Sequence, residues 1–273
     1  MFPSFLLSLR EGLEAALLIG IVFGTLRKVN QQQLRPIVWA GTASAIFISI
    51  VAAMVLNQLG TQFEGKVEEI YEGITMLSAA VVLTWMIFWM QRQAQNLKTG
   101  IEYDVRRTTM HSGGKALFLL AFLAVVREGI ALVLFLTAMA MATSAQQTFV
   151  GAFLGLTTAV LLGWLLFTTS IKLNLASFFK ATSVLLILFA AGLVAYSVHE
   201  FNEAGLIPPI VEHIWDINHI LDEKSTLGSL LKTLFGYNGN PSLSEVLAYL
   251  AYFVLIAFGL TRTVTVQPVV QEA

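Results

Sequence analysis

The chain has 273 residues, 56% of them hydrophobic and only 12% charged; a soluble domain carries about twice that charged fraction, so this composition reads as an integral membrane protein. A formal net charge of −1 speaks against a nucleic acid partner. There is no cysteine, which excludes disulfides, thiolate metal sites and iron–sulfur clusters and leaves carboxylate, imidazole, carbonyl or thioether groups to hold any metal.

The apolar runs predict an all-α integral membrane protein with seven transmembrane helices. Met1 to Leu9 has no basic stretch and no small-residue cleavage site, so the N-terminus is expected to be the first span and not a removable signal. Span one runs from about Phe5 to Leu26. Span two, Ile37 to Leu56, follows a basic turn with Arg27, Lys28 and Arg35. An acidic loop with Glu64, Glu68 and Glu69 leads to span three, about Glu72 to Met90. A polar, basic connector with Arg92, Lys98, Arg106, Arg107 and Lys115 precedes span four, Ala116 to Ala142. An uncharged loop leads to span five, Phe149 to Ile171, and a tight basic turn between Lys172 and Lys180 to span six, Ala181 to Val198. The last span, Val246 to Leu260, is introduced by Pro241 and by Ser242 and Glu245 at capping-box spacing.

The long loop before it holds Ile210, Ile214, Ile217 and Leu221, with Glu212, Asp216 and Asp222 interleaved. This spacing predicts an amphipathic helix on the outer membrane face. His213 and His219 flank Asp216 at i±3, a metal-holding spacing, though a solvated polar face accounts for them as well.

Lysine and arginine concentrate in the turns after spans one, three and five, and Arg262 follows span seven. These sides are expected to be cytoplasmic, which puts the N-terminus outside and the C-terminus inside. Trp39, Trp85 and Trp89 then fall near the cytoplasmic interface as an aromatic belt.

Charge inside the apolar runs is the informative feature. Span one carries Arg10-Glu11-Gly12-Leu13-Glu14, and span four carries Arg127-Glu128-Gly129-Ile130-Ala131. Helix rise puts Glu14 roughly 13 Å into the bilayer and Glu128 roughly 18 Å, both near the middle. An ionised side chain there costs about 2.5–3.5 kcal/mol, so these groups must be answered inside the protein. The two motifs lie on antiparallel spans, which predicts an inverted 3+3 repeat plus one C-terminal helix. Repeat one covers about 1–98, repeat two about 112–205, the outer amphipathic loop about 206–241 and the last helix about 242–262. Gly12 and Gly129 would let helices approach closely at that level.

Carboxylates without thiolates suit hard cations. Glu11, Glu14 and Glu128 are therefore candidate metal ligands. Arg10 and Arg127 are supporting ion-pair residues that hold the carboxylates until an ion displaces them. A purely structural ion pair is the other reading. Glu68, Glu69, Glu72, His199, Glu200 and Glu203 are candidate entrance residues that would gather cations at the mouth; a solvated helix end is the alternative. Met86, Met90, Met139 and Met141 read as packing.

With both motifs in view, the chain resembles the oxidase-dependent iron permease family, and especially its bacterial EfeU-type members. The family signature is R-E-x-x-E in two transmembrane helices. Arg10, Glu11 and Glu14 match the first copy, and Arg127 and Glu128 the first two positions of the second. Tyr71-Glu72-Gly73-Ile74, His199-Glu200-Phe201-Asn202-Glu203-Ala204-Gly205 and Phe235-Gly236-Tyr237 also look like the family. The departure is Ala131, where the family has its second glutamate; an asymmetric site filled by water or Glu72, an altered substrate, and loss of transport are the readings it leaves. The resemblance implies a permease, not an enzyme, that moves ferric or ferrous iron across the bacterial cytoplasmic (inner) membrane as a multi-pass protein. It implies iron as substrate with no permanently bound cofactor, and an extracytoplasmic iron-binding or iron-oxidising partner protein. A non-transporting scaffold or sensor is the alternative, and an intramembrane acid–base enzyme a further one.

Overall fold

In a computed structural model, which describes residues 1–93, 101, 103, 105, 113–168, 175–223 and 225–265, the chain is built from long helices. They are α1 (Phe2–Lys28), α2 (Arg35–Gln62), α3 (Lys66–Gln93), α4 (Gly113–Ala142), α5 (Ala145–Thr168), α6 (Leu175–Glu203), the short α7 (Thr226–Phe235) and α8 (Leu243–Thr265). One 3₁₀ turn, Gln32–Leu34, joins α1 to α2. Among the described residues there is no strand. Lys98, Arg106, Arg107 and Lys172 lie outside the described residues. Six helices, α2 to α6 and α8, are long and apolar enough to cross a membrane. Their outer faces carry exposed Phe47, Met54, Phe149, Val160, Trp164 and Val254, an apolar belt that lipid covers in a multi-pass membrane protein.

Small residues decide which helices meet. Along α1, Ser4, Ser8, Gly12 and Ala16 recur every fourth position, and along α5 Gly151, Gly155, Ala159 and Gly163 do the same. These two stripes face each other. A Cβ on Gly12 would stand 2.7 Å from that of Ala159, one on Gly163 2.8 Å from that of Ala16, and one on Gly155 2.9 Å from that of Ser8. The numbers rise together, so α1 and α5 run parallel. In lipid, where apolar side chains gain nothing by leaving their solvent, close backbone packing of this kind is a main source of helix association. The α2–α4 pair repeats the arrangement: Gly114 meets Ile37, Gly41 meets Ala121, and Gly129 meets Ser49. Gly12 and Gly129 therefore do permit close approach, but to α5 and α2 and not to each other. The third main pairing is α3 with α6, where Gly73 near the start of α3 lies against Phe201 near the end of α6.

One apolar core lies among α3, α4, α6 and α8, with Leu83, Ile87, Phe135, Phe189 and Ile256 buried together. A second joins α1, α2 and α4 through Val22, Leu26, Val38 and Leu117.

Two element boundaries differ from the sequence reading. Helix α3 begins at Lys66, so Glu68 and Glu69 sit in its first turn, where acidic side chains favour the helix dipole. Helix α6 continues to Glu203 and carries His199 and Glu200.

The amphipathic helix expected around Ile210 to Leu221 does not form. That stretch is bends and turns, and the helix lies later, at Thr226–Phe235. Pro208 and Pro209 withhold their backbone donors, and Ile210 takes φ +64°, a conformation no helix propagates. The segment is tied instead to the stretch before α8 and its first residue: Ile214 N donates to Pro241 O at 3.1 Å, Ile217 N to Gly239 O at 2.9 Å, and Leu243 N to Val211 O at 3.1 Å. Without a helix, His213, Asp216 and His219 lose the spacing that suggested a metal, and all three are exposed. The capping box at α8 is present. Ser242 N donates to Glu245 Oε1 at 3.2 Å and Glu245 N to Ser242 Oγ at 3.3 Å.

Candidate functional site

Arg10, Glu11 and Glu14 lie about halfway along α1, and Arg127 and Glu128 about halfway along α4. Both helices turn these residues toward the protein interior. Arg10 has no exposed surface, Glu11 retains 1%, Glu128 2% and Glu14 8%. The three glutamates come together: one carboxylate oxygen from each lies within 4.8 Å of the others. Oxygens that share a hard cation at about 2.0–2.6 Å are themselves at most about 4–5 Å apart, so the spacing suits a single ion.

The guanidinium groups approach from the side. Arg10 Nη1 lies 2.7 Å from Glu11 Oε1, and Arg10 Nη2 lies 3.1 Å from Glu14 Oε1. Arg10 also donates to the sulfurs of Met86 and Met90 on α3. Arg127 donates through Nε, at 3.0 Å, and through Nη2 to the same oxygen, Glu128 Oε1. Its guanidinium carbon sits 3.7 Å above the centre of the Trp89 ring. Trp89 is thus a contact of the buried motif and is half-buried, whereas Trp39 and Trp85 are exposed.

Two features fit a visiting cation. Glu11 Oε2 and Glu128 Oε2 are buried with no hydrogen-bond partner, a costly condition that an ion would relieve. With all groups ionised, three carboxylates face two guanidiniums, which leaves one negative charge uncompensated in an apolar setting.

The position of Ala131 is apolar. It is 4% exposed and packs in the cluster with Leu7, Met76, Met86 and Phe135. Glu72 does not take the missing place. It lies fourteen residues, roughly 21 Å of helix, from Met86, in electrostatic reach of Glu68 and Glu203.

The residues expected at the mouth also gather, because the start of α3 lies beside the end of α6. Glu200 has Glu72, Glu203 and Glu69 as its acidic neighbours. His199 Nε2 lies 3.3 Å from Glu203 Oε1, and His199 Nδ1 lies 3.1 Å from Glu245 Oε1. Glu245 is the member that sequence reasoning missed. It is buried and also accepts from Asn238 Nδ2 at 2.7 Å and Ser242 Oγ at 2.9 Å. Its capping-box spacing announced the helix start, and nothing in the sequence announced its contact with α6. Met139 is packed in the core, with Met141 against it, as expected.

A profile described as the Iron permease FTR1 family matches residues 1–271. The chain belongs to the FTR1 iron permease family. This FTR1 member is 38% identical over 264 residues to a protein from Shigella sonnei (strain Ss046) named ferrous iron permease EfeU, covering 95% of this chain and 96% of the relative. A protein of the same name from Yersinia pestis is 35% identical over 257 residues, 93% of this chain and 91% of the relative. An EfeU protein from Escherichia coli (strain K12), with 38% identity over 264 residues, bears a name that marks it inactive. No solved structure matches the chain.

Proposed function

We propose that this iron permease passes ferrous iron through the buried site formed by Glu11, Glu14 and Glu128. The observation that carries the reading is the convergence of those three carboxylates from two separate helices, with a carboxylate oxygen of each within 4.8 Å of the others. The reduced ion is favoured by the names of the relatives, by an imidazole at the mouth and by two thioethers beside Arg10, since softer ligands suit ferrous better than ferric iron.

In this reading iron is first drawn to Glu68, Glu69, Glu72, His199, Glu200 and Glu203, whose combined charge attracts cations. It then reaches the midplane carboxylates, where it satisfies the unpartnered oxygens and draws them from their arginines. Helix α1, 27 residues long, is a seventh span whose charges are answered inside the protein. The exchange of partners, α1 with α5 and α4 with α2, is what an inverted 3+3 repeat would produce, since α1 would correspond to α4 and α2 to α5. Ile37 and Gly114 meet, Gly60 and Met141 approach each other, and Ser4 lies against Gly151, so the N-terminus, the mouth and the α4–α5 link share one side. The basic turns argue that this side is outside the cytoplasmic membrane. An extracytoplasmic partner that delivers iron would dock there.

The space beside the site does not favour an enzyme. The cavity that reaches Arg10 is about 20 Å³ and, apart from Thr182, otherwise lined by apolar residues such as Leu7, Met139 and Phe189, room for one or two waters. A larger cavity, about 460 Å³, lies between α6, α7 and α8, with Glu245 its carboxylate.

Radio-iron uptake into liposomes carrying the purified full chain, beside Glu14→Gln, tests the proposal. Uptake by the native chain that Glu14→Gln abolishes at equal protein content supports it. Uptake retained in full by Glu14→Gln sinks the carboxylate route.

A further inference from the structure

Arg10 and Arg127 hold corresponding places in the two motifs, but their surroundings differ. Arg10 has no exposed surface and is enclosed by two carboxylates and two sulfurs. The Arg127 side chain keeps 26% of its surface, and its guanidinium carbon lies over the Trp89 ring. Met86, Trp89 and Met90 are spaced by three and one and share a face of α3, so one short stretch of α3 receives both arginines.

The geometry of the Arg127 pair is unusual in one respect. A guanidinium free to choose places two parallel bonds on the two oxygens of a carboxylate. Here both N–H groups fall on Glu128 Oε1, and Glu128 Oε2 is left buried and without a partner. The Trp89 ring, 3.7 Å from the guanidinium carbon, occupies one side of Arg127 and limits how the group can turn toward Glu128.

We infer that Trp89 is a positioning residue for iron: it holds Arg127 to one side of Glu128, so that the arginine steadies the carboxylate through Oε1 while Oε2 stays open to the ion. The inference rests on the iron route proposed above. When iron draws Glu128 away, the ring face remains as a partner for the guanidinium, so the cation need not be stranded in the interior. Remove the ring, and Arg127 is free to close over both oxygens and compete with iron directly.

Two measurements on the full chain separate this inference from the route it rests on. In liposomes, Trp89→Leu should raise the iron concentration for half-maximal uptake about tenfold while the maximal rate stays within about twofold. Trp89→Phe, which keeps a ring face, should recover most of the affinity. A purely structural role for Trp89 would lower the maximal rate with the amount of folded protein and leave half-saturation in place, and that result would overturn the inference. The second measurement needs no iron. With Trp39, Trp85, Trp164 and Trp215 replaced by Phe, the emission of Trp89 should change on Arg127→Gln, because a cation leaves the ring face. Unchanged emission beside normal iron uptake overturns the inference alone. Changed emission in a chain that takes up no iron overturns the route, and the role of Trp89 with it.

Discussion

Gly12 and Ala159 meet so closely that a Cβ on Gly12 would stand 2.7 Å from the Ala159 methyl. Gly12 also lies between Glu11 and Glu14, so the seam that joins α1 to α5 passes through the buried acidic motif itself. A larger residue at position 12 would push α1 away from α5 and shift both carboxylates together. Gly12→Val is expected to lose about 1–3 kcal/mol of stability and to lose iron uptake with it. Thermal unfolding in detergent, run beside liposome uptake, checks both effects.

Glu11→Gln and Glu128→Gln keep the shape of the side chain and remove its charge. Each is expected to lower iron uptake about tenfold or more, because a neutral amide is a poor ligand for a hard or borderline cation. Folding should suffer less, since one negative charge is in excess before the change. Uptake rates at matched protein content measure this, and near-native rates in both variants would remove the carboxylates from the route.

The two arginines should respond unequally. Arg10→Met strands Glu11 and Glu14 in a fully buried setting and is expected to cost about 3–5 kcal/mol. Arg127→Met leaves a single carboxylate beside a partly exposed position and should cost clearly less. Comparison of folded yield and thermal midpoint for the two variants decides it, and equal losses would contradict the difference in burial.

Ala131→Glu restores the full signature but places a carboxylate among Leu7, Met76 and Phe135. Arg127 stands one turn away, but the cluster already carries one negative charge in excess, so a further carboxylate in this apolar packing should destabilise the fold by several kcal/mol. The expected result is lower folded yield and no gain in iron uptake. A gain in uptake at native stability would show that the apolar pocket opens to the ion.

Ser242→Ala removes one half of the reciprocal cap at α8, worth about 1 kcal/mol. A fall of about 2–4 °C in the thermal midpoint is the expected reading. Glu245→Ala should fall further, since Glu245 also receives Asn238 and His199.

Much of the site was legible in the sequence because its logic is local. Arg10, Glu11 and Glu14 share a helix face by spacing alone, and charge in an apolar run demands an internal answer. That Glu128 would join them followed from treating the second motif as a counterpart of the first. The contact of Trp89 was hidden for the opposite reason. Its place near the end of α3 fits an interfacial belt, and only the packing of α4 against α3 reveals the guanidinium above its ring. The isoleucines from Ile210 to Ile217 carried a helical period that the chain does not use, because two prolines and backbone tethers to 239–243 outweigh periodicity in so short a segment. Glycine spacing announced close helix contacts but not their partners, since a stripe of small residues on one helix does not name the stripe it will meet.

The parallel pairing of α1 with α5 sets an order of events at the ribosome. Helix α1 is made well before the segments it packs against: its seam partner begins at Ala145 and the carboxylate that joins its cluster is Glu128. At 5–20 residues per second, α1 waits on the order of ten seconds before those segments exist. During that interval Arg10, Glu11 and Glu14 have only one another, in a helix that is marginal for insertion by itself. A nascent chain stalled before α5 should therefore hold α1 loosely, exposed to the insertion machinery and to membrane proteases. Synthesis of α5 is the step that commits it.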